Sequence, residues 1–169
     1  MHPDQIDVLN STEDTLAHYD RALTVEIWYP AAADTPPGGT YETVLRDPSL
    51  SATLTGRAAR DATPTADGPF PLVVISHGYP GNRLLLSHLG ENLASKGYVV
   101  ASIDHTDSTY ADQTAFGSTL LNRPIDQKFV LNSMAALDGP LGAITAAKPA
   151  AVRGHPMGGQ GPWTYGGRG

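Results

Sequence analysis

Two stretches of the chain are apolar at nearly every position, and both are short. Leu72-Val73-Val74-Ile75 is bounded by Pro71 and Gly78, and Tyr98-Val99-Val100-Ala101-Ser102-Ile103 follows Gly97 and ends in Asp104-His105. Continuous apolar runs of this kind suit strands buried on both faces, as in a parallel sheet. Between them Leu85, Leu89 and Leu93 recur four apart with Leu86 beside them, which predicts a helix over 84–96 closed by Gly97 as its C-cap. Strand, helix and strand within about 30 residues make a βαβ crossover, and therefore a parallel sheet with helices on its faces. A third run, Ala150-Ala151-Val152, predicts a further parallel strand over 150–153.

The rest of the chain is patterned differently. Leu23 to Tyr29 alternates apolar and mostly polar side chains and stops at Pro30, the pattern of a half-buried antiparallel strand. Its expected partner is Tyr41 to Leu45, across a Pro/Gly-rich connection, so residues 23–45 read as an edge hairpin. Residues 46–69 show little periodicity and read as a surface excursion with a short helix near Thr55 to Arg60. A loop is expected from Thr106 to Arg123, then Pro124 in the first turn of a helix over 125–137, with Phe129, Val130, Met134 and Leu137 as its apolar stripe. Residues 1–21 are polar and weakly patterned, a lead-in segment with a short helix around Thr12 to His18. The expected organisation is this lead-in, one three-layer α/β domain over 22–159 with a mostly parallel sheet, and a disordered Gly-rich tail over 160–169.

Composition narrows the function. Eleven basic against seventeen acidic side chains give a net charge of -6 without any block of like charges, which argues against nucleic acid as a partner. The absence of cysteine removes disulfides, thiolate metal sites and cysteine nucleophiles together. No run approaches the roughly 18 apolar residues of a membrane span, and Met1-His2-Pro3-Asp4-Gln5 does not open a signal peptide, so the chain reads as soluble and by default cytoplasmic.

The candidate chemistry lies where the apolar runs end. Gly154-His155-Pro156-Met157-Gly158 has two glycines spaced as in the Gly-x-Ser-x-Gly turn that lifts a nucleophilic serine clear of a sheet, with Pro156 where the serine would stand. Ser76-His77-Gly78-Tyr79-Pro80-Gly81-Asn82-Arg83 follows one buried strand, Asp104-His105-Thr106-Asp107-Ser108-Thr109 ends the next, and Leu-Thr-Val-Glu-Ile-Trp-Tyr-Pro-Ala occupies 23–31. In this order, over residues from about 22 to 159, these segments resemble the platelet-activating-factor acetylhydrolase and dienelactone hydrolase branch of the α/β-hydrolases. The resemblance implies hydrolysis of a carboxylic ester by acylation of a serine, with no cofactor. It also implies that the backbone N–H groups of Tyr79 and Met157 approach each other as oxyanion-hole donors, above a pocket with Pro156 at its floor.

Two features oppose a complete site. Proline has no hydroxyl, and its φ near −65° does not suit the strained elbow. The family order of serine, acid, histidine puts the acid and base after the elbow, yet only Gln160 to Gly169 follow Gly159, with four glycines and a proline. The sheet is therefore expected to be incomplete on its C-terminal side, as in a chain truncated or frameshifted past the elbow.

His77 reads as a loop residue shaping the oxyanion turn rather than as a base. His77, Asp104, His105 and Ser108 form a substitute site only if residues so close in sequence can face one another, so no serine hydroxyl is expected within hydrogen-bond reach of a histidine in the pocket. A metal held by His77, Asp104, His105 and Asp107 lacks any His-x-x-x-His spacing. Three readings stand: an esterase of small or lipid-like carboxylic esters, an inactive remnant that binds small acyl or aromatic ligands, and a half-domain that covers an open sheet edge by forming a homo-oligomer.

Overall fold

The computed structural model describes residues 2–154. Strand β6 (Phe70–Ser76) lies at the centre of a four-stranded sheet whose other members are β3 (Thr24–Trp28), β7 (Val99–Asp104) and β8 (Thr145–Gly154), in the order β3-β7-β6-β8. β7 and β8 both run parallel to β6, with Leu72 opposite Val99 on one side and Ala150 on the other. The two apolar runs thus form the strands expected of them, and the third strand is present but longer than the sequence suggested, starting at Thr145.

Alternation along these strands sorts the core into two layers. Leu72, Val74, Val99, Ala101 and Ile103 pack on one face against Val130 and Met134 of helix α2 (Phe116–Ala135). Ile75 and Val100 pack on the other against Trp28, Tyr41, Leu84 and Ala94, beneath helix α1 (Ser87–Ala94). Helix, sheet and helix make the three-layer α/β arrangement.

The expected hairpin over 23–45 does not form. β3 pairs antiparallel with β7, Trp28 opposite Val100, while β4 (Gly39–Val44) pairs with β5 (Ser51–Gly56) in a separate two-stranded ribbon. The reason is local: Asp47-Pro48-Ser49 makes a tight turn, with the Asp47 carboxylate accepting from the Ser49 N–H and hydroxyl, so β4 meets β5 immediately. β5 also replaces the short helix expected near 55–60. Likewise no helix occupies 12–18; β1 (His2–Ile6) and β2 (His18–Arg21) pair antiparallel instead.

The largest departure is α2, which begins at Phe116, within the expected loop, and contains Pro124 in its interior. Its buried stripe runs Ser118, Thr119, Asn122, Arg123, Asp126, Gln127, Val130 and Met134, a helical spacing made mostly of polar residues. A reading that seeks apolar residues every three or four positions cannot see such a helix, least of all with Leu120 and Leu121 on its exposed side. A five-residue helix α3 (Gly139–Ala143) then leads into β8.

Candidate active site

Parallel pairing brings the C-terminal ends of β6 and β7 side by side, Ser76 opposite Ile103, so the segments that leave them run together. The Gly81 N–H donates to the Ser108 carbonyl at 3.3 Å and the Tyr110 N–H to the Gly81 carbonyl at 3.0 Å. Gly81 is required by its packing against the His77 ring, whose Nδ1 would stand 2.7 Å from a Cβ there.

The strand pleat decides which side chains can meet. Ser76 shares a face with Leu72 and Val74 and so points at α2; Asp104 shares a face with Val100 and Ser102 and so points away from α2. Asp104 accordingly accepts from the Arg83 N–H at 2.5 Å and from Arg83 Nη1 at 2.6 Å. It takes no part in a triad with its neighbour His105.

His105 turns to the α2 side. Its Nε2 lies 2.8 Å from the Ser76 hydroxyl and its Nδ1 lies 2.9 Å from Asp126 Oδ2 on α2. A serine hydroxyl thus lies within hydrogen-bond reach of a histidine, though in the buried core and not in a pocket, and the serine is the last residue of β6. Arg21 of β2 closes the chain, its Nε 3.1 Å from Asp126 Oδ1 and its Nη1 2.6 Å from Asp107 Oδ2, while its Nη2 donates to the Thr106 carbonyl. Burial, followed by the charges of Arg123 and Arg21, holds the His105 pKa well below its ordinary value. In the neutral ring Nδ1–H donates to the carboxylate and Nε2 accepts the Ser76 O–H, since a carboxylate can only accept. That is the hydrogen-bond pattern of a serine-histidine-aspartate triad. Yet Ser76 and His105 are 0% exposed, as is Asp126, so no ester carbonyl can approach the hydroxyl.

The second histidine is engaged with the turn. His77 Nε2 accepts the His105 N–H at 3.2 Å, which leaves the proton on Nδ1, 2.6 Å from the Gly78 carbonyl. Burial, reinforced by His105 and Arg123, pushes the His77 pKa down to about 3. The two imidazoles meet edge to face with centroids 5.3 Å apart. From α2, Arg123 Nη1 donates to the His77 carbonyl at 2.5 Å, and Nη2 to the Gly78 carbonyl at 2.8 Å and the Ser108 hydroxyl at 3.0 Å. Burial lowers the Arg123 pKa to about 10, which leaves it charged at neutral pH.

The Ser108 hydroxyl donates to the His105 carbonyl at 3.3 Å and accepts from Arg123. The Tyr79 ring packs edge-on against Phe116, centroids 5.1 Å apart. Pro156 and Met157 lie outside the described residues. Among those described, no group of three or more His, Asp or Glu side chains is arranged to hold a metal ion, and no helix is long and apolar enough to cross a membrane. A cavity of about 590 Å³, lined in part by Trp28, Tyr29, Tyr41, Arg60, His88 and Glu91, lies at the opposite end of the sheet, where Trp28 is paired with Val100.

Arg21, Ser76, Arg123 and Asp126 went unrecognised in the sequence. Arg123 and Asp126 carried one signal, the spacing of Ser118, Asn122 and Asp126 with Thr119, Arg123 and Gln127 beside them, which repeats every four residues like a core stripe but in polar residues; Arg21 and Ser76 carried none.

Comparison with known proteins places these features in context. The family model for platelet-activating factor acetylhydrolase, isoform II matches residues 48–138. A platelet-activating factor acetylhydrolase of Bos taurus is 38% identical over 68 residues, 37% of this chain and 15% of that protein. A cutinase of Thermobifida alba is 35% identical over 98 residues, 58% of this chain and 30% of that protein. Among solved structures, a ferulic acid esterase from Streptomyces cinnamoneus superposes with a TM-score of 0.65 at 28% identity, covering 84% of this chain and 47% of its own. The chain thus spans less than half the length of each of these relatives, and the sheet described above has the α/β-hydrolase fold.

Proposed function

Because the chain belongs to the platelet-activating factor acetylhydrolase, isoform II family, we propose that residues 76–81 form the oxyanion side of a carboxylic ester hydrolase acting on small or lipid-like esters. The observation that carries this reading is the Tyr79 N–H. It follows the C-terminal end of the central strand without a hydrogen-bond acceptor among the described residues, in a turn whose two preceding carbonyls, of His77 and Gly78, are both engaged. A fixed amide aimed at developing negative charge contributes about 10²–10³ in rate when a nucleophile is supplied. Met157 is the proposed second donor.

Pro156 favours a companion reading of the same site, one that binds small acyl or aromatic ligands with little turnover. Acylation needs a hydroxyl or thiol at the elbow. Of the hydroxyls described, the one on a histidine is sealed in the core. Hydrolysis of p-nitrophenyl acetate, with Ser108→Ala and His105→Ala as controls, tests both readings. Turnover far below that of an intact relative, and insensitive to Ser108→Ala, is expected; calorimetric binding of phenyl acetate without turnover marks the companion reading. Brisk hydrolysis lost in Ser108→Ala overturns both.

β3 and β8 are the outer strands of the described sheet and offer unpaired N–H and C=O groups. A homo-oligomer formed at one of these edges is proposed, to be checked by size-exclusion chromatography with light scattering.

A further inference from the structure

We infer that Arg123, acting with His77, is the positioning residue that aims the Tyr79 amide, an inference that rests on the oxyanion role proposed for that amide. The Gly78–Tyr79 peptide is trans, so its C=O and N–H point in opposite directions. Whatever holds the Gly78 oxygen therefore aims the Tyr79 hydrogen. Two donors hold that oxygen: Arg123 Nη2 at 2.8 Å and the His77 Nδ1–H at 2.6 Å. The preceding peptide is fixed in the same sense, because Arg123 Nη1 binds the His77 carbonyl at 2.5 Å. Both N–H groups of the turn are thereby turned away from the guanidinium.

Arg123 is itself fixed. It is buried in α2, and its Nη2 also meets the Ser108 hydroxyl, which belongs to the segment zipped to the turn through Gly81. A planar fork with donors at set angles holds two successive carbonyls and a hydroxyl at once, whereas the single ammonium of a lysine cannot span them. The arginine also places a positive charge behind the turn. A charge that merely attracted the oxyanion would be preserved in Arg123→Lys, and a fixed orientation would not.

The test is the direction of the Tyr79 N–H bond, read from residual dipolar couplings in the ¹⁵N-labelled chain. In Arg123→Lys the Tyr79 and Gly78 couplings are expected to depart from wild type while those of Leu72–Ser76 and Val99–Asp104 stay the same. Unchanged Tyr79 and Gly78 couplings in a folded Arg123→Lys protein overturn the inference. If that variant does not fold, the wild-type guanidinium answers: separate, slowly exchanging Hη signals for Arg123 support it, and a single averaged signal overturns it. Ester hydrolysis by the wild type is measured in parallel. Its absence bears on the proposed function alone, because the couplings report the clamp whether or not the chain turns over substrate.

Discussion

The hydroxyl of Ser76 lies 2.8 Å from the Nε2 of His105, and neither residue is exposed to solvent. With Asp126 on the far side of the ring, the pair reproduces the bonding of a catalytic triad in a place no substrate can reach. Hydrogen bonds alone therefore do not identify a nucleophile; access decides. An activated-serine probe gives the first prediction. A fluorophosphonate should leave Ser76 and Ser108 unmodified in the native chain by peptide mass spectrometry, and stoichiometric labelling of Ser76 would show that the core opens on the timescale of the reaction.

The same network should matter for stability. Ser76→Ala leaves a buried imidazole nitrogen without its donor and is expected to cost about 1–3 kcal/mol. Asp126→Asn leaves the Arg21 guanidinium with one anionic partner instead of two and should cost more, up to about 3–5 kcal/mol, as for a broken buried ion pair. Urea unfolding of the two variants checks the order, and an Asp126→Asn protein as stable as wild type would remove the network from the account.

Acid should destabilise the chain through its two buried histidines. His77 has its pKa pushed down to about 3 and His105 lies well below its ordinary value, while both return to ordinary values on unfolding. Between pH 6.5 and pH 3 the unfolded chain thus binds more protons, so stability is complete above about pH 6.5 and falls as pH drops through that window. Each histidine contributes a slope of up to about 1.4 kcal/mol per pH unit. Urea midpoints at pH 7, 6 and 5 should fall in step, and a flat profile across that range would show that neither imidazole is held neutral.

Gly90→Ala offers a test of packing against propensity. Alanine in a helix interior gains up to about 1 kcal/mol over glycine. Here the added Cβ would stand 2.5 Å from Cε3 of Trp28, which is itself held by a 2.8 Å hydrogen bond from its Nε1 to the Tyr41 hydroxyl. Overpacking of about 1–3 kcal/mol should win, so the variant is expected to melt lower than wild type. A higher melting temperature would mean that Trp28 yields.

Tyr41 should behave as the centre of that cluster. Its hydroxyl accepts from Trp28 and donates to Glu91 at 2.6 Å, and burial together with Glu91 pushes its pKa up to about 12. Tyr41→Phe strands the indole N–H and is expected to cost about 1–3 kcal/mol, measured by urea unfolding.

The central strands were legible in the sequence because burial on both faces leaves little but apolar side chains, as at Leu72–Ile75 and Val99–Ala101, and because Gly97 and the leucines at 85, 89 and 93 mark the crossover between them. The turn at His77–Gly81 was likewise marked by residue order, since it follows directly on the first of these strands. Partner choice was not: nothing local tells Val25 and Ile27 to lie beside Ala101 and Ile103 rather than beside Tyr41, since antiparallel pairing reads the same from either neighbour. The polar core was hidden for a related reason. Arg21, Ser76, His105, Arg123 and Asp126 look like surface residues one at a time, and only the tertiary structure, by placing β2, β6, β7 and α2 around one point, lets each satisfy another's hydrogen bonds and so become core.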